Sequence, residues 1–513
     1  MVQGGLPSGR PQVYTVRANA GDIIFGTCKL QGVNLDTTVT LALYDKAGSK
    51  LKEQSCSGDF GETPQEIGFS APAAGAYSIR ITAAGDAAGS YTLSTKRQTP
   101  AERTAGVAVN PAVRFKSPRV EQLAKDVSAR QAGAVERFWS EAKARGGPLV
   151  ETMEGNDRDF LVTFLWRQTY DTRNVLVIWA GAAPRDYYMS RVPRTNVWYK
   201  TLRLRRGSRF SYLLAPNDRM GEPHYTAQID PLNPRIAYGT SSILETPGAP
   251  DESWYSRKPA ISGLITPHAV DSALLKKQRS ISVYTPPGYS PSSGPYPLLI
   301  LFDGRAYATG NLQASNTLDN LIADHRIRPT VVCFVNDNRS VSVNPDQRPA
   351  YASAMATELV PWIRAMYAVS TNPKEVVIGG FSAGGGMAGY VAFNYPEVFG
   401  NVLLQSGGAQ VMVPLLLNAP KLPVRFYVDQ GLYEYGFTWA ALSPDEQAVD
   451  GWFGEDLPQQ GQNWLLRARL LRDILQAKGY DFTYHETGGA HEGLHWRATL
   501  AEGLIALLGQ SAN

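Results

Sequence analysis

Cysteine is scarce in this sequence, with three in 513 residues, so the chain is no disulfide scaffold. No CxxC or HExxH spacing offers a structural or catalytic zinc, and neither a metal nor a cofactor is expected. Runs of about 18 apolar residues are missing as well, which excludes a membrane-spanning helix. Charge of one sign is also lacking: 50 Lys and Arg against 46 Asp and Glu leave +4. That is too mild and too dispersed for a nucleic-acid partner, although it suits an anionic small ligand. Histidine is rare too, with six in the chain, so few imidazoles are available to serve as a base.

What is present belongs to a well-cored globular protein: 43% hydrophobic and 19% charged residues, in a chain long enough for about three domains of ordinary size. Cys28 and Cys56 fall in one short β-rich segment where strands could join them in a disulfide, which would favour an exported protein; two buried thiols are the alternative. Cys333 stands alone in an apolar strand. The opening Met1–Gly5 has neither a basic nor an apolar signal region, which fits a cytoplasmic protein or one whose signal peptide has been removed.

Three stretches differ in patterning. Residues 12–97 alternate polar and apolar positions in short pieces between glycine-rich turns, as in Val39–Tyr44, Gly75–Ile81 and Gly89–Leu93, and read as a small β-sandwich. The later two pieces, each opening on glycine, a small residue and tyrosine, resemble the pre-peptidase C-terminal module that accompanies exported bacterial hydrolases. After a linker near Thr99–Pro118, helical periodicity runs from Val120 to Ala144. Strand patterns then return at Leu161–Trp166, Val175–Trp179, Val197–Lys200 and Phe210–Leu214, giving a second sandwich over 119–255. From about residue 260 to 513, strand candidates at Leu298–Phe302, Thr330–Val335, Val376–Gly380, Val424–Val428 and Phe482–His485 alternate with helical stretches. Such alternation predicts a mostly parallel sheet covered on both faces. The fold class is therefore α/β, an α/β-hydrolase domain preceded by two β-sandwiches.

The chemistry concentrates around Gly380-Phe381-Ser382-Ala383-Gly384. Strand formers precede it and a glycine-rich helical stretch follows, so it reads as a nucleophile elbow that lifts the Ser382 hydroxyl clear of the backbone. Serine needs a base, and the base needs a carboxylate to fix its tautomer. In this fold the order is serine, acid, histidine, and only His485, His491 and His495 follow Ser382. His485 lies inside a strand pattern, where a structural role is expected. His491 sits in the loop Gly488–Gly493 and is preferred, with His495 as rival. Both Asp429 and Glu434 follow the preceding strand. Glu434 is favoured because Asp429 ends the strand whereas Glu434 has the freedom of the loop; Asp445, Glu446 and Asp450 are more distant choices. Oxyanion donors would be the N–H of Ala383 and that of Gly304 or Arg305, where the strand Leu298–Phe302 exits through Asp303-Gly304.

From about residue 130 to 510 the chain resembles the enterochelin (ferric enterobactin) esterases. The resemblance rests on Phe138-Trp139, Val162–Arg167, Asp230–Pro234, Pro297–Gly304, the Ser382 elbow, Pro396–Gly400, Gln405-Ser406-Gly407, and His491 with Trp496-Arg497, in the family's order. It implies that Ser382, His491 and Glu434 act together on the trilactone backbone of a catecholate siderophore, releasing dihydroxybenzoylserine units and iron. A ferric catecholate is anionic and flat, so cations and aromatics are expected at the pocket, with Arg305, Arg339 and Trp496 as candidate contacts. Two departures stand out. Cytoplasmic members of the family lack the leading sandwich, which favours a periplasmic or secreted protein here. The insertion between Glu434 and Asn463, with Trp439, Trp452 and Phe453, is expected to influence substrate choice. The expected partner is thus a small-molecule ester, with feruloyl, acetyl or polyester substrates as alternatives on the same triad, and a non-catalytic ligand-binding protein as the alternative of another class.

Overall fold

The computed structural model describes all residues except 7–10, 32–37, 58–64, 84–88, 108–112, 114, 180–187, 220–224, 337–344, 435–463 and 510–513. The chain forms two compact units. One takes in Met1–Trp179, Ala183–Leu204 and Ser211–Leu244; the other takes in Arg205–Phe210 and Glu245–Asn513.

In the first unit, alternating side chains build two sandwiches of two four-stranded sheets each. The leading one pairs Val2–Gly5, Ser90–Gln98, Ile23–Gln31 and Gln65–Ser70 in one sheet, and Gln12–Ala18, Gly75–Ala83, Thr38–Tyr44 and Lys50–Ser57 in the other. Tyr77, Ile79 and Ile81 point inward in turn, against Leu41, Leu43 and Leu93. The strand Val2–Gly5 lies ahead of residue 12 yet pairs with Ser90–Leu93, so this sandwich begins earlier than its alternation suggests. Cys28 is buried on Ile23–Gln31, whereas the Cys56 side chain lies outside the described residues and carries no disulfide assignment. The helical pattern from Val120 to Ala144 is two helices, Pro118–Ser128 and Ala134–Arg145. Arg130 and Gly133 between them take left-handed φ values of 55° and 69°, which no helix can continue through. The middle sandwich stacks the sheet Ser190–Arg191, Val197–Arg205, Asn156–Arg167, Leu149–Met153 and the sheet Val175–Trp179, Arg209–Pro216, Ser241–Glu245, Ile236–Ala237. From Glu245 onward the chain counts with the second unit, ten residues before the pattern places the boundary.

The second unit is built on an eight-stranded sheet: β1 (Leu264–Ser272), β2 (Lys277–Thr285), β3 (Leu298–Phe302), β4 (Val331–Val335), β5 (Val376–Phe381), β6 (Asn401–Gln405), β7 (Arg425–Gly431) and β8 (Phe482–Thr487), in the spatial order β1-β2-β4-β3-β5-β6-β7-β8. β1 and β2 run antiparallel, and β3 to β8 are parallel. Every residue of β3 to β6 is buried, as a strand covered on both faces requires. Period-two alternation divides them between two cores. Ile300, Cys333, Ile378 and Leu404 face helices α2 (Ser382–Asn394), α3 (Ala409–Asn418) and α4 (Trp464–Ala477). Leu299, Leu301, Val377 and Leu403 face α5 (Gly493–Leu508) and the helix Ala314–Ala323. Parallel strands all end on the same edge, so the loops leaving β3, β5, β6, β7 and β8 gather there, which is where ligands bind in such sheets. Among the described residues no helix is long and apolar enough to cross a membrane.

Ile300 is fully buried at the middle of this sheet. Ile300→Ala is expected to lower unfolding free energy by about 2–5 kcal/mol, read from urea unfolding followed by far-UV circular dichroism. A loss under about 1 kcal/mol would contradict packing that closed.

Candidate active site

The loop edge brings Ser382, His491 and Glu434 together. Ser382 follows β5 directly and holds a left-handed φ of 52° before α2 begins. Such a value is strained for a residue with a Cβ, and it aims Oγ away from the sheet. Close packing keeps the bend: a Cβ on Gly380 would lie 2.8 Å from the Gly384 backbone, and one on Gly407 would lie 2.2 Å from the Ser382 carbonyl oxygen.

His491 Nε2 lies 2.8 Å from Ser382 Oγ, and its Nδ1 lies 2.9 Å from Glu434 Oε2. The Glu434 side chain is fully buried while that of His491 keeps 16% exposure, enough to meet a substrate. The other Glu434 oxygen accepts the Gly431 N–H at 3.0 Å, which fixes the carboxylate within its own loop. With Nδ1–H donated to that carboxylate, Nε2 presents its lone pair to the serine hydroxyl, the tautomer that base catalysis needs.

The runners-up go elsewhere. His495, in the first turn of α5, meets Asp429 instead of Ser382, at 3.1 Å from Nε2 to Oδ1. Asp429 is therefore not the partner of His491; as a strand-end residue it is held below the loop that carries Glu434. His485 sits on β8 and pairs at 2.6 Å with Glu502, and that hydrogen bond holds its imidazole above the usual histidine range.

Of the oxyanion candidates, Ala383 is the second residue of α2 and Gly304 and Arg305 open the short helix α1 (Gly304–Ala308). All three carry N–H groups that their helices leave without an internal partner. Asp303 (φ 55°) turns the chain at this point, and its carboxylate lies against Gly384, where a Cβ would meet Oδ2 at 2.4 Å; the two helix starts are thus neighbours. The Arg305 side chain is exposed. Trp496 is only 9% exposed, stacked on Phe381 at 3.9 Å and set edge-on to His491 at 5.1 Å, so it packs the relay rather than lining open space. Arg339 and the insertion with Trp439, Asp445, Glu446, Asp450, Trp452 and Phe453 lie outside the described residues. Among the described residues no group of three or more His, Cys, Asp and Glu is arranged to hold a metal.

Sequence reasoning missed two features. Trp464, the first residue of α4, is half-buried and sets its ring T-shaped to His491 at 5.0 Å. The tip Arg205–Phe210 ties the acid and base loops together: Tyr433 Oη accepts the Arg205 N–H at 2.8 Å, and Gly488 O accepts the Arg209 N–H at 2.9 Å. Tyr433 N–H in turn donates to Gly489 O at 3.0 Å. No local pattern marks the links from Arg205 and Arg209, since they join residues more than 200 positions apart.

A parallel sheet with a serine bend after its central strand, and an imidazole relayed to a buried carboxylate at the same edge, defines an α/β-hydrolase of the carboxylic ester hydrolase class. Residues 272–507 match the family described as "Putative esterase", and residues 161–255 match the enterochelin esterase N-terminal domain. The chain thus carries an enterochelin esterase N-terminal domain followed by an esterase domain, and it is similar over most of its length to iron(III) enterobactin esterases. An iron(III) enterobactin esterase of Dickeya dadantii (strain 3937) is 27% identical over 425 residues, covering 74% of this chain and 94% of that protein. An iron(III) salmochelin esterase of Escherichia coli O6:H1 is 25% identical over 429 residues, covering 76% and 98%. The crystal structure of the enterobactin esterase of Shigella flexneri in the presence of enterobactin aligns with a TM-score of 0.53 at 24% identity, over 74% of this chain and 98% of that one, and supports the fold.

Gly488→Ala would drive a Cβ to 2.5 Å from the Ser208 Cα, backbone against backbone, beneath the His491 loop. The expected outcome is a kcat lowered by about tenfold or more, with thermal unfolding a few degrees earlier; unchanged kcat on a p-nitrophenyl ester would show that the tip does not hold this loop.

Proposed function

We propose that this chain is a serine esterase that opens the ester bonds of an enterobactin-like catecholate trilactone through an acyl-enzyme on Ser382. The observation that carries the reading is the relay Ser382 Oγ–His491 Nε2 at 2.8 Å and His491 Nδ1–Glu434 at 2.9 Å, in a chain whose relatives are siderophore esterases.

The steps follow from the atoms. His491 Nε2 takes the Ser382 proton as Oγ attacks an ester carbonyl of the trilactone, and Glu434 stabilises the imidazolium that forms. The tetrahedral oxyanion lies between the Ala383 N–H and the first N–H groups of α1, from Gly304 and Arg305. Its collapse expels the ring alkoxide, which takes the proton from His491, so the lactone opens while its acyl end stays on Ser382. Water, deprotonated by the same imidazole, then releases the acid and restores the serine. Iron is cargo of the substrate and takes no part in these steps. The partly exposed Trp464 beside His491, and the exposed Arg305 where α1 begins, suit a flat, anionic aromatic group. The leading sandwich favours action outside the cytoplasm.

Ser382→Ala and His491→Ala should each lower kcat by at least about 10³-fold with little change in stability. Glu434→Gln should come within about tenfold of that loss, because an amide fixes the wrong tautomer, whereas Asp429→Asn should lose much less. Rates on a p-nitrophenyl ester check all four, and an Asp429→Asn loss exceeding that of Glu434→Gln would reverse the acid assignment.

Substrate class is tested by chromatography of products from ferric enterobactin, a feruloyl ester and short-chain p-nitrophenyl esters. Release of dihydroxybenzoylserine from the first supports the reading. Turnover confined to the others overturns it in favour of a feruloyl or general esterase, and no turnover together with no labelling of Ser382 by an organophosphonate overturns it in favour of a binding protein.

A further inference from the structure

Below the relay a second carboxylate faces a second imidazole. Asp429 ends β7 and His495 stands in the first turn of α5; their side chains are 0% and 1% exposed. Asp429 Oδ1 meets His495 Nε2 at 3.1 Å, and His495 Nδ1 meets Thr487 Oγ1 at 2.9 Å, so the ring is held at both ends. Oδ1 also accepts the Ser406 N–H at 3.1 Å. Asp429 Oδ2 and Ser406 Oγ are buried with no hydrogen-bond partner among the described residues, so the carboxylate depends on few groups for its neutralisation.

This pair touches the relay on both sides. Ser406, in a left-handed conformation (φ 49°), leads into Gly407, whose Cα packs on the Ser382 carbonyl so closely that a Cβ would meet the oxygen at 2.2 Å. On the other side Gly489, two residues before His491, lies on the His495 ring, where a Cβ would come within 2.2 Å of Nδ1. One side of the pair therefore supports the chain beside the serine, and the other supports the loop of its base.

We propose that Asp429 and His495 are a positioning pair, a buried ion pair that sets the span from Ser382 to His491 and leaves Glu434 as the carboxylate facing His491. It rests on the triad reading above. The groups that face the pair are Glu434 in the loop after β7, Glu492 at the start of α5, Glu502 further along α5, His485 and Thr487 on β8, Tyr427 on β7 and Tyr307 on α1. Burial works against a charge on His495, but Asp429, with Glu434 and Glu492 adding to it, outweighs burial and raises the imidazole above the usual histidine range. The sign follows: His495 carries its charge below that raised value, and the ion pair is lost as pH climbs through it. Activity should then fall on the alkaline side, independently of the acid-side requirement that His491 be neutral.

The experiment measures pH profiles of kcat and KM on a p-nitrophenyl ester for the unaltered protein, His495→Gln, Asp429→Asn and the double variant. His495→Gln, which keeps a donor without the charge, is expected to lower kcat about tenfold with KM within about twofold and to abolish the alkaline fall. Asp429→Asn should act alike, and the double variant should lose no more than the worse single one, since the two residues act as a unit. A folded His495→Gln with unaltered kcat and alkaline fall, or losses that multiply in the double variant, would overturn the proposal. Should the variants not fold, ¹⁵N-histidine spectra of the unaltered protein decide: His495 keeping its proton above the ordinary histidine range supports the pair, and loss of that proton within or below the range overturns it. Organophosphonate labelling of Ser382 in the unaltered protein separates the two readings, since its failure removes the triad but leaves the His495 titration standing.

Discussion

The hydrogen bond from Ser382 to His491 joins residues 109 positions apart, and the rest of the site is arranged to hold it at 2.8 Å. A serine at φ 52° is strained by about 1–3 kcal/mol. It stays there because neighbouring backbone leaves no other place: Gly384 lies over Gly380, and Gly407 lies against the Ser382 carbonyl. The bend is thus imposed by β5, β6 and α2 together. A parallel sheet supplies the rest, because β5, β7 and β8 deliver the bend, the acid loop and the base loop to the same edge without the chain having to reverse.

Charge on that edge is divided with care. Asp429 and Glu434 are both fully buried and lie five positions apart, so two uncompensated anions there would repel each other in a medium of low dielectric constant. Each instead has its own imidazole. Glu434 meets one that keeps contact with solvent, and Asp429 meets one sealed between β7, β8 and α5. Exposure suits the roles proposed for them: a histidine that exchanges protons with substrate needs an open face, whereas the attraction between unlike charges is strongest away from water.

Legibility in the sequence followed the range of the interactions. Ser382 could be read because its bend is local, with strand formers before it and glycines after it. His491 could be read because only three histidines follow Ser382 and one of them lies in a glycine-rich loop. The sheet was visible in all-apolar pentapeptides such as Leu298–Phe302, since strands covered on both faces admit little else. The choice between Glu434 and Asp429 rested on reach alone; what separates them in space is His495, whose direction depends on Thr487 and on the rotation of α5. The break in the helical pattern at Arg130–Gly133 was hidden because apolar periodicity continues across it while the backbone does not. Trp464 and the tip Arg205–Phe210 left no trace, being set by packing between segments remote in sequence.

The relay and the groups suited to recognition sit on different elements. Behind the relay, beside the Asp429–His495 pair, several ties are main-chain: Tyr433 N–H to Gly489 O, Leu432 N–H to Thr487 O, Arg209 N–H to Gly488 O. Such bonds depend on backbone geometry and tolerate side-chain change, apart from the glycines that let the strands approach. The proposed substrate contacts are side chains at the start of α1 and α4, Arg305 and Trp464, the latter directly after an insertion rich in aromatic and acidic residues. Substitution at Arg305 changes a side chain that is exposed, away from the Ser382–His491 hydrogen bond, whereas Trp464 also packs on the His491 ring. A scaffold divided in this way can keep one arrangement of serine, imidazole and carboxylate while substrates diverge, which is why the relay was the easier part of this chain to read and the identity of the ester the harder.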